Sequence, residues 1–371
     1  MSDPGTGGPA YPPPPGWQPP PPPPSSYTGY RPAPGYPAAP VPQPPVGAWV
    51  PARGMLGAAH KPGAMPLRPL GLGDMYDAAF RIIRFNPKAT VGSAVLVAAS
   101  AMAIPVVVTA VLTFALDLSI DQGASSDTST TLGWVGSLGS VGVGVALATI
   151  GTLLVTGMTS HVTAAAAIGR RLTLGEAWAA TRGKRWRLVG LALLLGLSLT
   201  LLFAAYVAAW ALVVVTAGDR TGLIVVWGLV TVPAFACLLV WFWVRVYYLP
   251  VPALMLEPVG IIGAVRRGFY LTRRQFWRTF GIALLTGLVV GIASEVLTVP
   301  IGIIGQLAAL VVGTRYAVLT LVVTQALSQV ISAAFATPFT SAVTSLQYLD
   351  QRMRKEAYDV ELMQQAGVTG P

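Results

Sequence analysis

Residues 73–88 read GDMYDAAFRIIRFNPK and stand directly before the first long apolar run of the chain. Their charged members, Asp74, Asp77, Arg81, Arg84 and Lys88, are spaced three, four, three and four apart. On a helix that spacing draws one polar stripe. Met75, Ala79, Ile82, Ile83 and Asn86 fall on the other face, bordered by Tyr76, Phe80 and Phe85. Acids near the start and bases near the end complement the helix dipole, and Asp77 and Arg81 stand one turn apart. The stretch therefore reads as an amphipathic helix lying in a headgroup region, closed by Pro87 before the chain turns into the bilayer.

Composition supplies the bilayer. Of 371 residues, 54% are hydrophobic and only 10% are charged, far from the usual soluble domain. Six stretches exceed the roughly 18 to 20 apolar residues that cross a hydrocarbon core as a helix. They are 91–116, 133–158, 188–215, 223–248, 279–302 and 317–343. Backbone groups in lipid must bond internally, and the alternating ten-residue segments of a β-barrel are not present. The expected fold is an all-α membrane protein with six transmembrane helices.

The basic residues flank these spans, which excludes a nucleic-acid patch as the meaning of the +10 charge. Segment 159–187 carries Arg170, Arg171, Arg182, Lys184, Arg185 and Arg187, and 249–279 carries Arg266, Arg267, Arg273, Arg274 and Arg278. The intervening loops are acidic or nearly uncharged. The positive-inside rule puts the basic loops and both termini in the cytoplasm of a cell-membrane protein. No secretory signal pattern opens the chain, in keeping with an internal N-terminus.

Three parts follow along the chain. Residues 1–65 hold 21 of the 32 prolines, in runs such as PPPPGWQPPPPPP with interspersed tyrosines. Such a tail cannot bury a core and is expected to be disordered, either as a spacer or as a polyproline segment docking a cytoplasmic protein partner. Residues 66–350 form the membrane domain, and 351–371 a short polar cytoplasmic tail. Within the membrane domain, LGDMYDAAFRIIRF from Leu72 has counterparts in LGEAWAATRGKRWR from Leu174 and IGAVRRGFYLTRRQFW from Ile262. Each places a small residue five positions after its glycine (Ala78, Ala180, Gly268) and precedes two spans. The domain reads as three units of interfacial helix plus helical hairpin. Arg81, Arg84, Lys88, Arg182, Lys184, Arg185, Arg273 and Arg274 are then the expected contacts to anionic lipid headgroups, each near 1 kcal/mol in rough terms.

Polar residues inside the spans are fewer. In span five Gly287, Gly291 and Glu295 recur every four residues, a small-residue stripe ending in a carboxyl and suited to close helix approach. By helical rise Glu295 lies about 24 Å beyond Thr279, toward the outer boundary. It is expected to reach water, to pair with Arg315, or to bond the seam of Gln325, Ser328, Gln329 and Ser332 on span six. Gly136, Ser140 and Gly144 make a second close-contact stripe in span two. Segment 301–314, with Gln306 as its interior polar residue, is too short to span alone and is expected to be interfacial or re-entrant.

Chemistry of a catalytic kind finds no footing. The histidines are His60 and His161, the one cysteine is Cys237 inside span four, and neither a phosphate-binding loop nor a nucleophile elbow is present. No catalytic residue, metal or cofactor is expected. Cys237 is expected to pack as a small residue, and His161 to be a satisfied interface group.

The run RPLGLGDMYDAAFRIIRFNP, from Arg68 to Pro87, resembles the opening motif of the glycerophosphoryl diester phosphodiesterase membrane domain family. The likeness is to stand-alone actinobacterial members with proline-rich tails, and it covers residues 66–350. It implies a multi-pass cell-membrane protein without catalytic residues, because the soluble phosphodiesterase domain fused to other members is absent. Two functions remain open: a scaffold or accessory membrane component touching lipid through its interfacial helices, or a transporter or lipid-handling protein with a cavity between the hairpins.

Overall fold

The structure is a computed structural model and describes residues 63–115 and 127–365, apart from the side chains of 112, 115, 127–146, 314 and 315. The described residues belong to one compact unit beginning at Arg53. The proline-rich tail, His60 and the stripe of Gly136, Ser140 and Gly144 lie outside this description.

Every regular element among the described residues is helical: α1 (Leu72–Phe85), α2 (Pro87–Ala115), α3 (Asp127–Ala167), α4 (Leu174–Ala180), α5 (Arg185–Ala217), α6 (Thr221–Phe242), a π-helical turn (Trp243–Tyr247), α7 (Pro250–Leu256), α8 (Ile261–Thr272), α9 (Phe276–Val311), α10 (Thr314–Glu356) and α11 (Tyr358–Gln365). Six helices are long and apolar enough to cross a membrane, as expected.

The opening stretch does form a helix. Asp74 accepts the free N–H of Gly71 at 3.1 Å and so starts α1. Its apolar stripe, Met75, Ala78, Ala79 and Ile82, is fully buried. That stripe is covered by protein: the Tyr76 hydroxyl meets Thr286 on α9 at 3.1 Å, and the Phe80 and Phe339 rings lie 4.9 Å apart. Helix α1 is thus strapped to α9 and α10, and its charged face, with Leu72 and Phe80, is left exposed. Pro87 has a different job from the one expected. Its fixed φ suits the first position of a helix, and it opens α2 after a one-residue elbow at Asn86. The buried Asn86 amide holds the elbow by accepting Leu172 N–H at 3.0 Å.

Helices α3 and α10 run parallel through the core. Thr156 meets Ser341 at 2.9 Å and Ser160 meets Ser345 at 3.0 Å, so both partners advance by four together. Small hydroxyl residues allow this close approach, and such bonds contribute about 0.6 kcal/mol each, enough to fix register.

Two expected boundaries move. Segment 301–314 is not a separate piece, because α9 runs without interruption through Pro300 to Val311. A proline removes one ladder bond and bends a membrane helix more readily than it ends one. At the other end, α10 continues to Glu356 and α11 follows, with Gln351, Met353 and Leu362 buried. Residues 351–365 are therefore part of the packed body.

The α5–α6 hairpin is the least covered part. Helix α6 has no buried residue, and its contact with α5 includes Tyr206 stacked on Phe235 at 3.9 Å. Its Cys237 is exposed, against expectation, because it lies off the half-buried stripe through Thr231, Phe235 and Leu239 that meets α5.

A charged clasp closes the end of the bundle where α10 meets α7 and α8. Asp350, with no exposed surface, accepts Leu70 N–H at 2.7 Å and is paired with Arg278 and, at 3.0 Å, Arg354. Beside it Arg267 forks onto Glu356 at 2.5 Å and reaches Glu257 at 2.9 Å, while Arg352 joins the same two acids at 3.2 and 3.4 Å. Desolvation alone would depress the Arg267 guanidinium, but hydrogen bonds and charge from the two carboxylates outweigh it and hold it above its ordinary value.

Candidate functional site

Helix α9 presents Glu295, Thr298, Gly302 and Gln306 at three- and four-residue steps, which is one helical face. Helix α10 presents Gln325, Ser328, Gln329 and Ser332 in the same way. The two faces enclose a cavity of about 410 Å³. The expected seam therefore forms, and Gln306 joins it because α9 stays helical past Pro300. The side chain of Arg315, the expected partner of Glu295, lies outside the described residues.

Close packing holds this hairpin together at the Gln306–Gln325 end of the cavity, toward the turn between the two helices. At Gly305 an added Cβ would fall 2.4 Å from Thr324 Cγ2, so only glycine fits. The expected contact stripe at Gly287 and Gly291 is not one: an added Cβ at either meets nothing within 4 Å. Spacing identified a face of α9 but not its direction, and that face points away from the neighbouring helices.

The seam is polar and unsatisfied. Glu295, Gln306, Gln325 and Gln329 make no hydrogen bond or ion pair among the described residues. Ser328 is 3% exposed, and its buried Oγ has no partner. A second cavity of about 240 Å³, on the adjoining face of α10, shares Gln329 and Ser332 and is lined by Val97, Ala101 and Thr152 from α2 and α3. One carboxylate, three amides and several hydroxyls offer both donors and acceptors, without a nucleophile paired to a base. Such a set binds a hydroxyl- or amine-bearing head better than an anion.

The basic residues divide into engaged and free. Lys184 donates to the carbonyls of Met255 and Glu257 at 2.7 and 2.9 Å, capping the end of α7. Burial, then repulsion from Arg187, pulls its ammonium below the ordinary value. Arg185 lies 3.7 Å over the Trp178 ring and bonds Thr181, and Arg81 pairs with Asp77 at 3.0 Å. Arg84, Lys88, Arg182, Arg273 and Arg274 are exposed. Lys88 and Arg171 rim an apolar groove of about 950 Å³ between the α1–α2 elbow and α4.

The three glycine-aligned helices are unequal. Ala78 and Gly268 are buried, whereas Ala180 is exposed and Ala177 takes the inward position. Helix α4 spans only seven residues, started by a reciprocal capping box between Thr173 and Glu176 and followed by Gly183 at φ 81.

His161 is only half-buried, yet its Nε2 is enclosed without a partner, so it is not the satisfied group expected. Among the described residues no cluster of acids, histidines and cysteines could hold a metal. Sequence reasoning missed the clasp residues Glu257, Asp350, Arg352 and Glu356, and also Arg245. A pairing across 72 or 91 residues leaves no local pattern, although Asp350 and Glu356 beside three basic residues could have been singled out. Comparison with known protein families, with curated proteins and with solved structures finds no match.

Proposed function

We propose that the chain is a non-enzymatic multi-pass protein of the cell membrane that holds an amphipathic ligand in the α9–α10 seam, its hydrogen-bonding head at Glu295, Gln325 and Gln329 and its tail in lipid. The observation that carries this is the unpartnered polar lining of the 410 Å³ cavity on two otherwise apolar helices. Polar groups at membrane depth are costly unless something satisfies them. The basic loops support cytoplasmic termini, and the aligned helices support a three-unit plan in which the second unit has shortened. The resemblance at Arg68–Pro87 favours the phosphodiesterase membrane domain family as the chain's relatives, and the proline-rich tail remains the proposed dock for a cytoplasmic partner.

A second reading, scaffold or accessory component, is favoured by the uncovered α6. Purification in native lipid with mass spectrometry of bound species, comparing wild type with Glu295→Gln, separates the two. A defined amphiphile present in wild type and lost in the variant supports ligand handling. Bulk lipid alone in both samples, with the same protein partner in each, overturns it in favour of the scaffold.

A further inference from the structure

Among the described residues Arg245, in the π-helical turn after α6, is a cation without a counter-ion. Its Nε and Nη1 are enclosed and have no hydrogen-bond partner. The guanidinium lies 5.0 Å from the Phe269 ring and 5.8 Å from Phe276, so rings flank it where a carboxylate would be expected. Aromatic faces attract a cation but accept no N–H in line, and a charge taken out of water needs a counter-ion.

The surroundings add positive charge. Lys355 donates to the carbonyls of Tyr270 and Arg273 at 2.7 and 2.8 Å, and it lies within the repulsive reach of Arg245, Arg273 and Arg274. Of the acids, Glu356 is near Lys355 but is held by Arg267 and Arg352. Arg274 adopts φ 64, a left-handed conformation that is strained for a non-glycine residue and that gathers at functional sites. Helix α9 begins just beyond it at Phe276, whose ring is one of the two that flank Arg245. π-Turns likewise concentrate at functional positions.

The depth suits a headgroup. Trp277 is 78% exposed and Trp243 and Trp241 are also open, the ring of indoles found at a membrane–water boundary. Arg245 is half-buried and not sealed, which leaves an approach for a ligand oxygen.

We infer that Arg245, with Arg273, Arg274 and Lys355, forms a binding site for a phosphate-bearing anion at the junction of the π-turn, α8 and α9. The half-buried guanidinium can give a charge-assisted hydrogen bond to a phosphate oxygen, and the three neighbouring cations add to the attraction. This site is separate from the seam: it adjoins Phe276, and Glu295 is 19 residues, about 28 Å, farther along α9. It also selects the opposite ligand charge.

The test uses the full-length chain in nanodiscs of phosphatidylcholine, titrated with short-chain phosphatidylglycerol and followed by native mass spectrometry. Saturable binding is expected for wild type. Loss of a charge-assisted pair should weaken it about tenfold or more in Arg245→Gln, with Arg245→Lys intermediate. Parallel titrations with inorganic phosphate and glycerol 3-phosphate identify the source. If these displace the lipid and protect the protein against unfolding at comparable concentration, the site takes a soluble phosphate, and if they do not, the headgroup is its ligand. Should Arg245→Gln fail to fold, the exposed pair Arg273→Gln and Arg274→Gln replaces it, with a several-fold loss expected. Equal phosphatidylglycerol binding in wild type and variants, or equal binding of added phosphatidylcholine, overturns the proposal.

Discussion

Asp350 and Glu295 are both carboxylates on long membrane helices, and their surroundings are opposite. Asp350 has no exposed surface and is met by two guanidinium groups and a backbone N–H. Glu295 is exposed to a cavity whose other polar groups are also unpartnered. The same side chain is thus a fastener where the protein supplies its partners, and it is left open where the protein withholds them, which is why the ligand-handling reading proposed above rests on Glu295 and not on Asp350. Burial of a charge says little about function until its partners are counted.

The contrast can be broken most forcefully at Asp350. Asp350→Asn should leave Arg278 and Arg354 facing each other without a counter-charge and cost about 3 kcal/mol, read as a lower thermal unfolding midpoint of the purified protein. A midpoint close to wild type would show that the clasp is ornamental. Next comes Gly305→Val, whose side chain must enter the space of Thr324. About 1 to 3 kcal/mol of destabilisation is expected, together with loss of any ligand retained at the seam. Retention of the ligand despite lowered stability would place the binding site elsewhere.

Glu295→Gln should do the reverse of Asp350→Asn, shifting stability by no more than about 0.5 kcal/mol while changing what co-purifies. A stability loss as large as that at Asp350 would erase the distinction between the two carboxylates. The smallest effect is expected at Glu176. The Thr173 backbone N–H, and then its hydroxyl, hold this exposed carboxyl below its ordinary 4.5. A folded value below the unfolded one means that the cap stabilises α4 above pH 4.5 and is lost as pH falls through the folded value. The unfolding midpoints of wild type and Glu176→Ala should therefore differ at neutral pH and converge in acid. A gap that is constant with pH would mean that the ionised box is not what starts α4.

Much of the membrane architecture was legible because lipid imposes simple rules. Apolar length alone located the six spans, and the alternation of three- and four-residue steps located both α1 and the seam face of α10. What remained hidden depended on direction or on distance along the chain. Gly287 and Gly291 mark a face of α9, but nothing local says whether that face meets a helix or the bilayer. Pro300 signals a stop in a soluble helix, and only the helical continuation to Val311 reveals Gln306 as part of the seam. Asp350 and Glu257 read as stray acids near a basic loop until α10, α7 and the segment before α1 converge. Helix α4 likewise stops at Ala180, before the turn that holds Gly183 at φ 81, although the aligned residues continue to match.

Helix α10 carries the seam at Gln329 and the clasp at Asp350, and Pro338 stands between them. From Thr314 to Glu356 its 43 residues extend about 65 Å, more than twice the thickness of a hydrocarbon core. A straight rod of that length would transmit every tilt of one end to the other. The ring of Pro338 deletes one rung of its hydrogen-bond ladder, so bending compliance is concentrated at a single joint. The arm that bears Gln329 and the arm anchored by Asp350 therefore meet at one weakened turn, and a difference in tilt between them is cheapest to absorb there.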